Sequence, residues 1–373
     1  MKIDRVKAYG VAFPLTAIFK TAVMTYTKVE AVVTEVTTDD GHVGIGQATI
    51  SKAPYSAYGE TLSGAVHNIN EIFGPALIGM DPLALEMAHQ RMDSRLSANP
   101  FAKTAVDIAL HDLIGKALGV PVYSLLGGPV VTELPLVFAI GQFPVEQLVE
   151  KAIAGFEQGY RRLKIRVGIG LETDMANLSA LRKKFGNDVY ISVDFNASMT
   201  EEHKRPDQAI RYVRCLEEFN LDTIEQPVAG WDIETMAYIC EHVDTPLVAD
   251  ESVWSIHDAM RVIRRRAADV IKIKLIKTGG IHNACKIANM CEAVGMPLVV
   301  GHGVAGAIQN YAEAHFAAAM PNWKPPGEMN GFLKLQRDIA PPPVIKDGNI
   351  VLSDAPGLGF SLNDLDLERL KVA

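Results

Sequence analysis

Two alternating stretches stand near the start of the chain. Residues 29–37 and 43–48 read as alternating segments, with Val29, Ala31 and Val33 on one face of the first and Val43 and Ile45 on one face of the second, and Asp39-Asp40-Gly41 between them supplies a turn that favours positive φ. This pattern predicts an antiparallel hairpin. The period then lengthens to that of helices over 58–73, 83–96 and 103–118. In the last, Ala105, Ile108, Ala109 and Leu113 recur at helical spacing and Gly119 marks the stop. The first third of the chain therefore reads as α+β.

From about Leu134 the rhythm changes to short β-rich runs separated by amphipathic helical stretches. The runs are 134–140, 162–167, 189–195, 223–225, 247–250, 270–274 and 298–301. The helical stretches are 144–158, 174–185, 206–218, 234–243, 256–267 and 283–294. Repeated βα units require a parallel sheet, and this many in succession fit a closed barrel better than an open sheet. The tail from Pro341 is rich in proline and glycine. It carries an Asp347-Gly348 turn and a strand-like stretch at 350–353, and is expected to return to the N-terminal unit.

Composition narrows the function class. A chain of 373 residues with 48% hydrophobic and 21% charged residues is an ordinary folded protein rather than a disordered one. With 36 basic against 44 acidic residues and a net charge of −8, it has the wrong sign for a nucleic-acid binder. No apolar run reaches the length of a membrane span. Met1-Lys2-Ile3-Asp4-Arg5 carries an early acid and Pro14 interrupts the following apolar stretch, so the start does not read as a secretory signal. Four cysteines without a CxxC pair suggest neither a disulfide framework nor a zinc finger. A cytoplasmic location is expected.

In a barrel, residues at the carboxyl ends of the strands converge on one mouth. Here the ends read Lys164-Ile165-Arg166, Asp194-Phe195-Asn196, Glu225-Gln226-Pro227, Asp250-Glu251, Lys272-Ile273-Lys274 and Gly301-His302-Gly303. Asp194, Glu225 and Asp250 follow one another at about one βα unit each, so they would stand side by side. Three convergent carboxylates repel one another unless a cation neutralises them. Mg²⁺ suits such oxygen ligands, and the absence of His/Cys clusters argues against zinc. Strands two and six lie across the mouth from each other. Strand alternation points Lys164 and Arg166 inward together, and Lys272 and Lys274 likewise. Cations facing each other over a metal suit abstraction of a proton α to a carboxylate, because the resulting dianionic enolate needs positive charge already in place. A lysine among cations is expected to have a depressed pKa and to serve as base.

The residues resemble the enolase superfamily, in the branch of muconate lactonizing enzymes and mandelate racemases. The resemblance runs over nearly the whole chain. It rests on Phe101-Ala102-Lys103, Ala109-Leu110-His111-Asp112, Gly115-Lys116 and Leu125-Leu126-Gly127-Gly128. Further along it rests on Lys164-x-Arg166, Asp194-x-Asn196, Glu225-Gln226-Pro227, Asp250-Glu251, Lys274, Lys277-Thr278-Gly279-Gly280 and Glu328. It implies an α/β fold, a (β/α)7β modified TIM barrel with an α+β capping domain. The implied boundaries are 1–128 for the capping domain, 129–326 for the barrel and 327–373 for the last strand and returning tail. It also implies Asp194, Glu225 and Asp250 as Mg²⁺ ligands, Lys274 as acid/base, Lys164 as electrostatic support and Glu328 as an acidic group near the eighth strand. Loops 16–26 and 50–58 would close the mouth, and a symmetric homo-oligomer is expected.

Two departures shape the functional expectation. The second lysine of the Lys-x-Lys motif is Arg166, and a guanidinium does not readily give up a proton near neutral pH. His302 stands where racemase-like relatives carry a histidine, but its aspartate partner is replaced by Lys274. The sequence therefore favours one-face chemistry, a lyase or cycloisomerase acting on a small carboxylate substrate. Lys274 would be the base, His302 a further acid, and Lys164 with Arg166 the enolate clamp. The alternative is a racemase or epimerase of an amino-acid or betaine-type substrate. Two other classes compete. Gly301-His302-Gly303-Val304-Ala305-Gly306 matches GxGxxG of an NAD-binding dehydrogenase, but it stands late in the seventh unit and leaves the acids unexplained. A non-catalytic relative would be marked by lost ligands, and all three are present.

Overall fold

The computed structural model describes residues 1–20, 25–50, 59–168, 170–197, 205–301, 304–361, 366 and 370–372; the side chains of residues 18–20, 25 and 26 lie outside that description. Strand β1 (Ile3–Lys20) pairs antiparallel with β2 (Thr25–Thr38), and β2 with β3 (Val43–Thr49). The expected hairpin is β2–β3, and β1 is an addition to it. Along β1 the buried positions switch from Ala8 and Gly10 to Val11, Phe13 and Leu15, so no single alternation announces the strand.

Helical segments Leu62–His67, Leu85–Arg95 and Pro100–Leu118 follow, the first continuing as a π turn over Asn68–Phe73. The helix Pro100–Leu118 is buried from Pro100 to Gly115. It is buried on every face because it lies between the antiparallel sheet and the barrel, and its buried polar side chains are paired, as Lys103 is with Asp93 and Asp107 with His89. Glycine permits the close approach: a Cβ on Gly46 of β3 would stand 2.0 Å from the Ala105 carbonyl oxygen. On the barrel side, Thr104 Oγ1 donates to the Leu275 carbonyl at 2.8 Å, next to Lys274.

The barrel follows the expected βα rhythm. The run predicted at 134–140 divides into β4 (Glu133–Pro135) and β5 (Phe138–Ile140). Pro135 has no N–H to donate, and β4 pairs not with the barrel but with the tail. The remaining strands are β6 (Arg162–Arg166), β7 (Tyr190–Asp194), β8 (Thr223–Glu225), β9 (Leu247–Ala249), β10 (Val270–Ile273) and β11 (Leu298–Val300). From β5 to β11 they form one parallel sheet in chain order. Residues 323–328 close the ring: Trp323 bridges Leu298 of β11, and Gly327 bridges Leu136 beside β5. This segment takes the place of an eighth strand, which establishes the modified barrel. The helix Ala307–Ala319, absent from the pattern reading, is an alanine-rich segment buried on nearly every face.

The tail forms β12 (Val344–Lys346) and β13 (Asn349–Val351), which join β4 in a small antiparallel sheet. Further on, Lys371 bridges Val11 of β1, and Leu358 N donates to buried Asp112 Oδ1 at 2.9 Å. One apolar core fills the barrel walls and a second fills the space between the antiparallel sheet and its helices. Among the described residues no helix is long and apolar enough to cross a membrane.

Candidate active site

Barrel strands alternate in supplying layers of inward side chains, four to a layer from odd or even strands. The even layer here is ionic. Numbered around the ring from β5, the second, fourth and sixth strands are β6, β8 and β10, and Glu328 ends the eighth segment. Lys164 Nζ of β6 lies 2.9 Å from both carboxylate oxygens of Glu225 on β8 and 2.6 Å from Glu328 Oε1. Lys272 Nζ of β10 lies 2.9 and 3.0 Å from the same two Glu225 oxygens and 2.8 Å from Glu328 Oε2. Charges alternate around the ring, and Lys164, Glu225 and Lys272 are all buried. Gly301 makes room for it, since a Cβ there would stand 2.1 Å from Lys272 Cε.

The other acids sit against this ring. Asp194 Oδ2 receives Lys164 Nζ at 2.8 Å, and Asn196 donates to Asp194 through its backbone N at 2.7 Å and its side-chain amide at 2.8 Å. Asp250 is gripped by two lysines: Lys274 Nζ on Oδ2, and Lys277 Nζ on Oδ1 at 2.7 Å and on the Asp250 carbonyl at 2.5 Å. Burial, reinforced by the Asp194 charge, pushes Glu225 up to about 7. Burial opposes charge on Lys164 as well, but Asp194, Glu225 and Glu328 hold its pKa well above the ordinary lysine value. The same holds for Lys274: burial opposes its charge, and Asp250 raises its pKa nonetheless. This corrects the expectation of a depressed Lys274 pKa. The side chain faces a carboxylate, not a ring of cations.

The structure thus brings Lys164, Asp194, Glu225 and Glu328 into one cluster and pairs Lys274 with Asp250 beside it. Arg166 is half-buried at the end of β6, where its Cα pairs in register with that of Asp194. His302 and residues 21–24 and 51–58 of the two expected loops lie outside the described residues, while 16–20 and 25–26 of the first belong to strands β1 and β2. Lys272 and Lys277 are site cations to which the strand-end reading gave no task. For Lys272 the signal was its inward alternation with Lys274; for Lys277 it was only the Lys277-Thr278-Gly279-Gly280 motif.

The donor set can be weighed for a metal. Asp194 and Glu225 are register partners on adjacent strands, and Asp250 follows the end of β9, so three buried carboxylates end neighbouring strands. Hard oxygen donors of this kind fit Mg²⁺. Among the described residues no three acidic, histidine or cysteine side chains are gathered to hold a metal as they stand; ammonium groups lie against the carboxylates instead.

Fold and site together define a barrel enzyme with a mouth of buried acids and lysines. The pattern described as Enolase C-terminal domain-like matches residues 147–366, and that described as Mandelate racemase / muconate lactonizing enzyme, N-terminal domain, matches residues 5–127. The chain belongs to the enolase superfamily, in the mandelate racemase and muconate lactonizing enzyme branch, and is an enzyme of that superfamily. It is 33% identical to an N-succinyl-L-Arg/Lys racemase of Bacillus cereus, over 100% of this chain and 98% of the relative. The crystal structure of N-succinyl Arg/Lys racemase from Bacillus cereus superposes with a TM-score of 0.93 at 32% identity, covering 100% of this chain and 99% of that one. A dipeptide epimerase of Enterococcus faecalis, solved with Mg and the dipeptide L-Leu-L-Tyr, gives 0.89 at 32% identity over 97% of this chain and 100% of that one. Muconate cycloisomerase 1 of Rhodococcus opacus is 31% identical over 94% of this chain and 93% of the relative.

Proposed function

We propose that the protein is a Mg²⁺-dependent racemase or epimerase that acts on the α-carbon of an N-acylated amino acid. Similarity to a racemase and a dipeptide epimerase supports the reaction class over the cycloisomerase and lyase chemistry favoured by sequence. The observation that carries the choice of an acylated substrate is the engagement of Glu328. Its two oxygens each receive a lysine, Lys164 at 2.6 Å and Lys272 at 2.8 Å, so this carboxylate is not available for a free substrate ammonium group. An acylated nitrogen carries no charge to satisfy.

In this reading Asp194, Glu225 and Asp250 hold the metal, which supplies positive charge for a substrate carboxylate. Lys274 exchanges the α-proton on one face. It would take the proton up as the neutral amine and return it as the ammonium; Asp250 holds the amine in position, and engaging Asp250 in cation binding would loosen the ion pair that keeps it protonated. Lys164 is held protonated among three carboxylates and stabilises negative charge as it develops on the substrate. Inversion also requires a proton on the opposite face. Arg166 is a poor source for it, and Lys164 is the protonated amine on the same strand.

Arg166 favours a second reading, in which only one face is served and the product arises by elimination or cycloisomerisation. One experiment separates the two. Enantiopure N-succinyl and N-acetyl amino acids, dipeptides and muconates are incubated with enzyme and Mg²⁺ in D₂O and followed by proton NMR and chiral chromatography. Deuterium incorporation with inversion of an N-acyl amino acid is expected. Exchange with retention, or conversion to an unsaturated or cyclic product, gives the second reading. No exchange with any acid overturns both.

A further inference from the structure

Gln226 follows Glu225 at the point where β8 ends, and it is fully buried with a left-handed φ of 40°. A non-glycine residue in that region is strained and persists only where its surroundings hold it. Here the surroundings are two neighbouring strand ends. The Gln226 backbone N donates to the Val248 carbonyl at 3.0 Å, and its carbonyl accepts from Ala197 N at 3.0 Å. The side-chain amide is saturated. Oε1 accepts from Asp250 N at 3.0 Å and from Ser252 N at 3.2 Å, while Nε2 donates to the Val228 carbonyl and to Ser252 Oγ, both at 2.9 Å.

These six bonds have a geometric meaning. Backbone pairing of β8 with β9 runs from Ile224–Leu247 to Glu225–Val248. Beyond it the main chain of β8 turns away, and the Gln226 side-chain amide takes over as a substitute peptide group, extending the ladder to Asp250 and Ser252. The same residue reaches the other neighbour through Ala197, three positions after Asp194. One buried amide residue is therefore tied to the chain beside all three strand-end carboxylates.

We propose that Gln226 is a positioning residue that sets the mutual placement of Asp194, Glu225 and Asp250 for binding a divalent cation. The inference rests on the reading of those three as cation ligands, but it concerns a residue that touches neither cation nor substrate. Partners that orient ligands typically affect metal affinity by roughly 10- to 100-fold. Asparagine tolerates left-handed backbone but is one methylene too short to reach Asp250 N and Ser252 N; methionine keeps the length and loses every side-chain hydrogen bond.

The test is isothermal titration of Mg²⁺ into the wild-type protein, Gln226→Asn and Gln226→Met, with circular dichroism to establish the folded fraction. Wild-type binding with about 10- to 100-fold weaker binding by either folded variant is the expected result. A purely structural role would lower Tm but leave the Mg²⁺ Kd of the folded variants within twofold of wild type, which would overturn the inference while leaving the cation site standing. Failure of the wild-type protein to bind Mg²⁺ removes the site itself, and the role of Gln226 with it.

Discussion

Lys164 and Lys272, carried by strands on opposite sides of the barrel, donate to the same two carboxylates, Glu225 and Glu328. The four side chains form a closed, charge-balanced layer where a barrel of this class usually packs branched apolar residues. A buried ring of this kind adds little net stability over an apolar layer, yet breaking it is costly because the remaining charge has no partner. Lys272→Met therefore leaves Glu328 and Glu225 undercompensated, and a loss of roughly 3–5 kcal/mol is expected in urea denaturation. Lys272→Met combined with Glu328→Gln should lose less than the sum of the single changes. Additive losses would show that the two side chains are not coupled.

Gly301 gives a second approach to the same layer. A methyl group there would stand 2.1 Å from Lys272 Cε, and Lys272 is held at its tip by two carboxylates, so it cannot step aside without leaving them. Gly301→Ala should reproduce the direction of Lys272→Met, destabilising by about 1–3 kcal/mol. It should add little once Lys272 has been replaced. The check is the double variant: a full additional loss in the Lys272→Met background would mean that Gly301 serves something other than this side chain.

Stability should also depend on pH through a group remote from the mouth. His315, on the helix Ala307–Ala319, is buried, and burial lowers its pKa to about 4. Its Nδ1 accepts from Tyr123 N at 3.3 Å, which requires that nitrogen unprotonated. The unfolded chain takes up the proton near pH 6.5 while the folded one resists until about pH 4. The contribution is therefore complete above pH 6.5 and is lost as pH falls through that interval. Between pH 7 and 5 this amounts to roughly 2 kcal/mol. His315→Gln keeps an acceptor and removes the titration. Denaturation of both proteins at the two pH values should show a smaller acid loss in the variant, and equal losses would locate the effect elsewhere.

How far the sequence could be read differs between scaffold and site. The βα rhythm located β5 to β11 because each strand is a short apolar run between amphipathic helices. Strand β1 escaped because its buried positions change phase at Gly10 and Val11, and the helix Ala307–Ala319 because alanine on every face leaves no stripe to see. The strand-end rule placed the acids, Lys164 and Lys274 at one mouth, and the structure gathers them there. The rule did not reveal that Lys272 and Glu328 close a ring, since that depends on the segment 323–328 taking the eighth place without strand-like periodicity. Nor did it give the sign of the Lys274 shift, which is set by Asp250 lying against that amine rather than by the cations on neighbouring strands.

Lys274 is the group whose removal should separate chemistry from binding. If Lys274 is the acid/base group proposed above, Lys274→Met removes its amine but leaves Asp194, Glu225 and Asp250, so exchange of the substrate α-proton should fall by about 10²- to 10⁴-fold. Mg²⁺ binding should be kept, because Lys277 still holds Asp250 at 2.7 Å. NMR exchange in D₂O alongside Mg²⁺ titration distinguishes the cases. Undiminished exchange removes Lys274 from the acid/base role, and loss of Mg²⁺ binding together with exchange would mean that the substitution disrupted the site.

In the proposed reaction, Arg166 would decide whether one or both faces of the substrate can be served. It stands at the end of β6 in register with Asp194, and a guanidinium is not the proton-exchanging group that an amine is. Any inversion by the wild-type enzyme must then draw its second proton from another group, and Lys164 is tied to Asp194, Glu225 and Glu328. Removing a proton from that cluster costs more than removing it from an amine at the mouth, so wild-type inversion should be slower than α-proton exchange. Arg166→Lys keeps the positive charge and adds an exchangeable amine on the β6 side. The ratio of inversion to exchange, measured by chiral chromatography and NMR on one sample, should rise about tenfold or more. An unchanged ratio in a variant that still binds Mg²⁺ would show that Arg166 does not limit delivery to the second face, and that the wild-type donor is already competent.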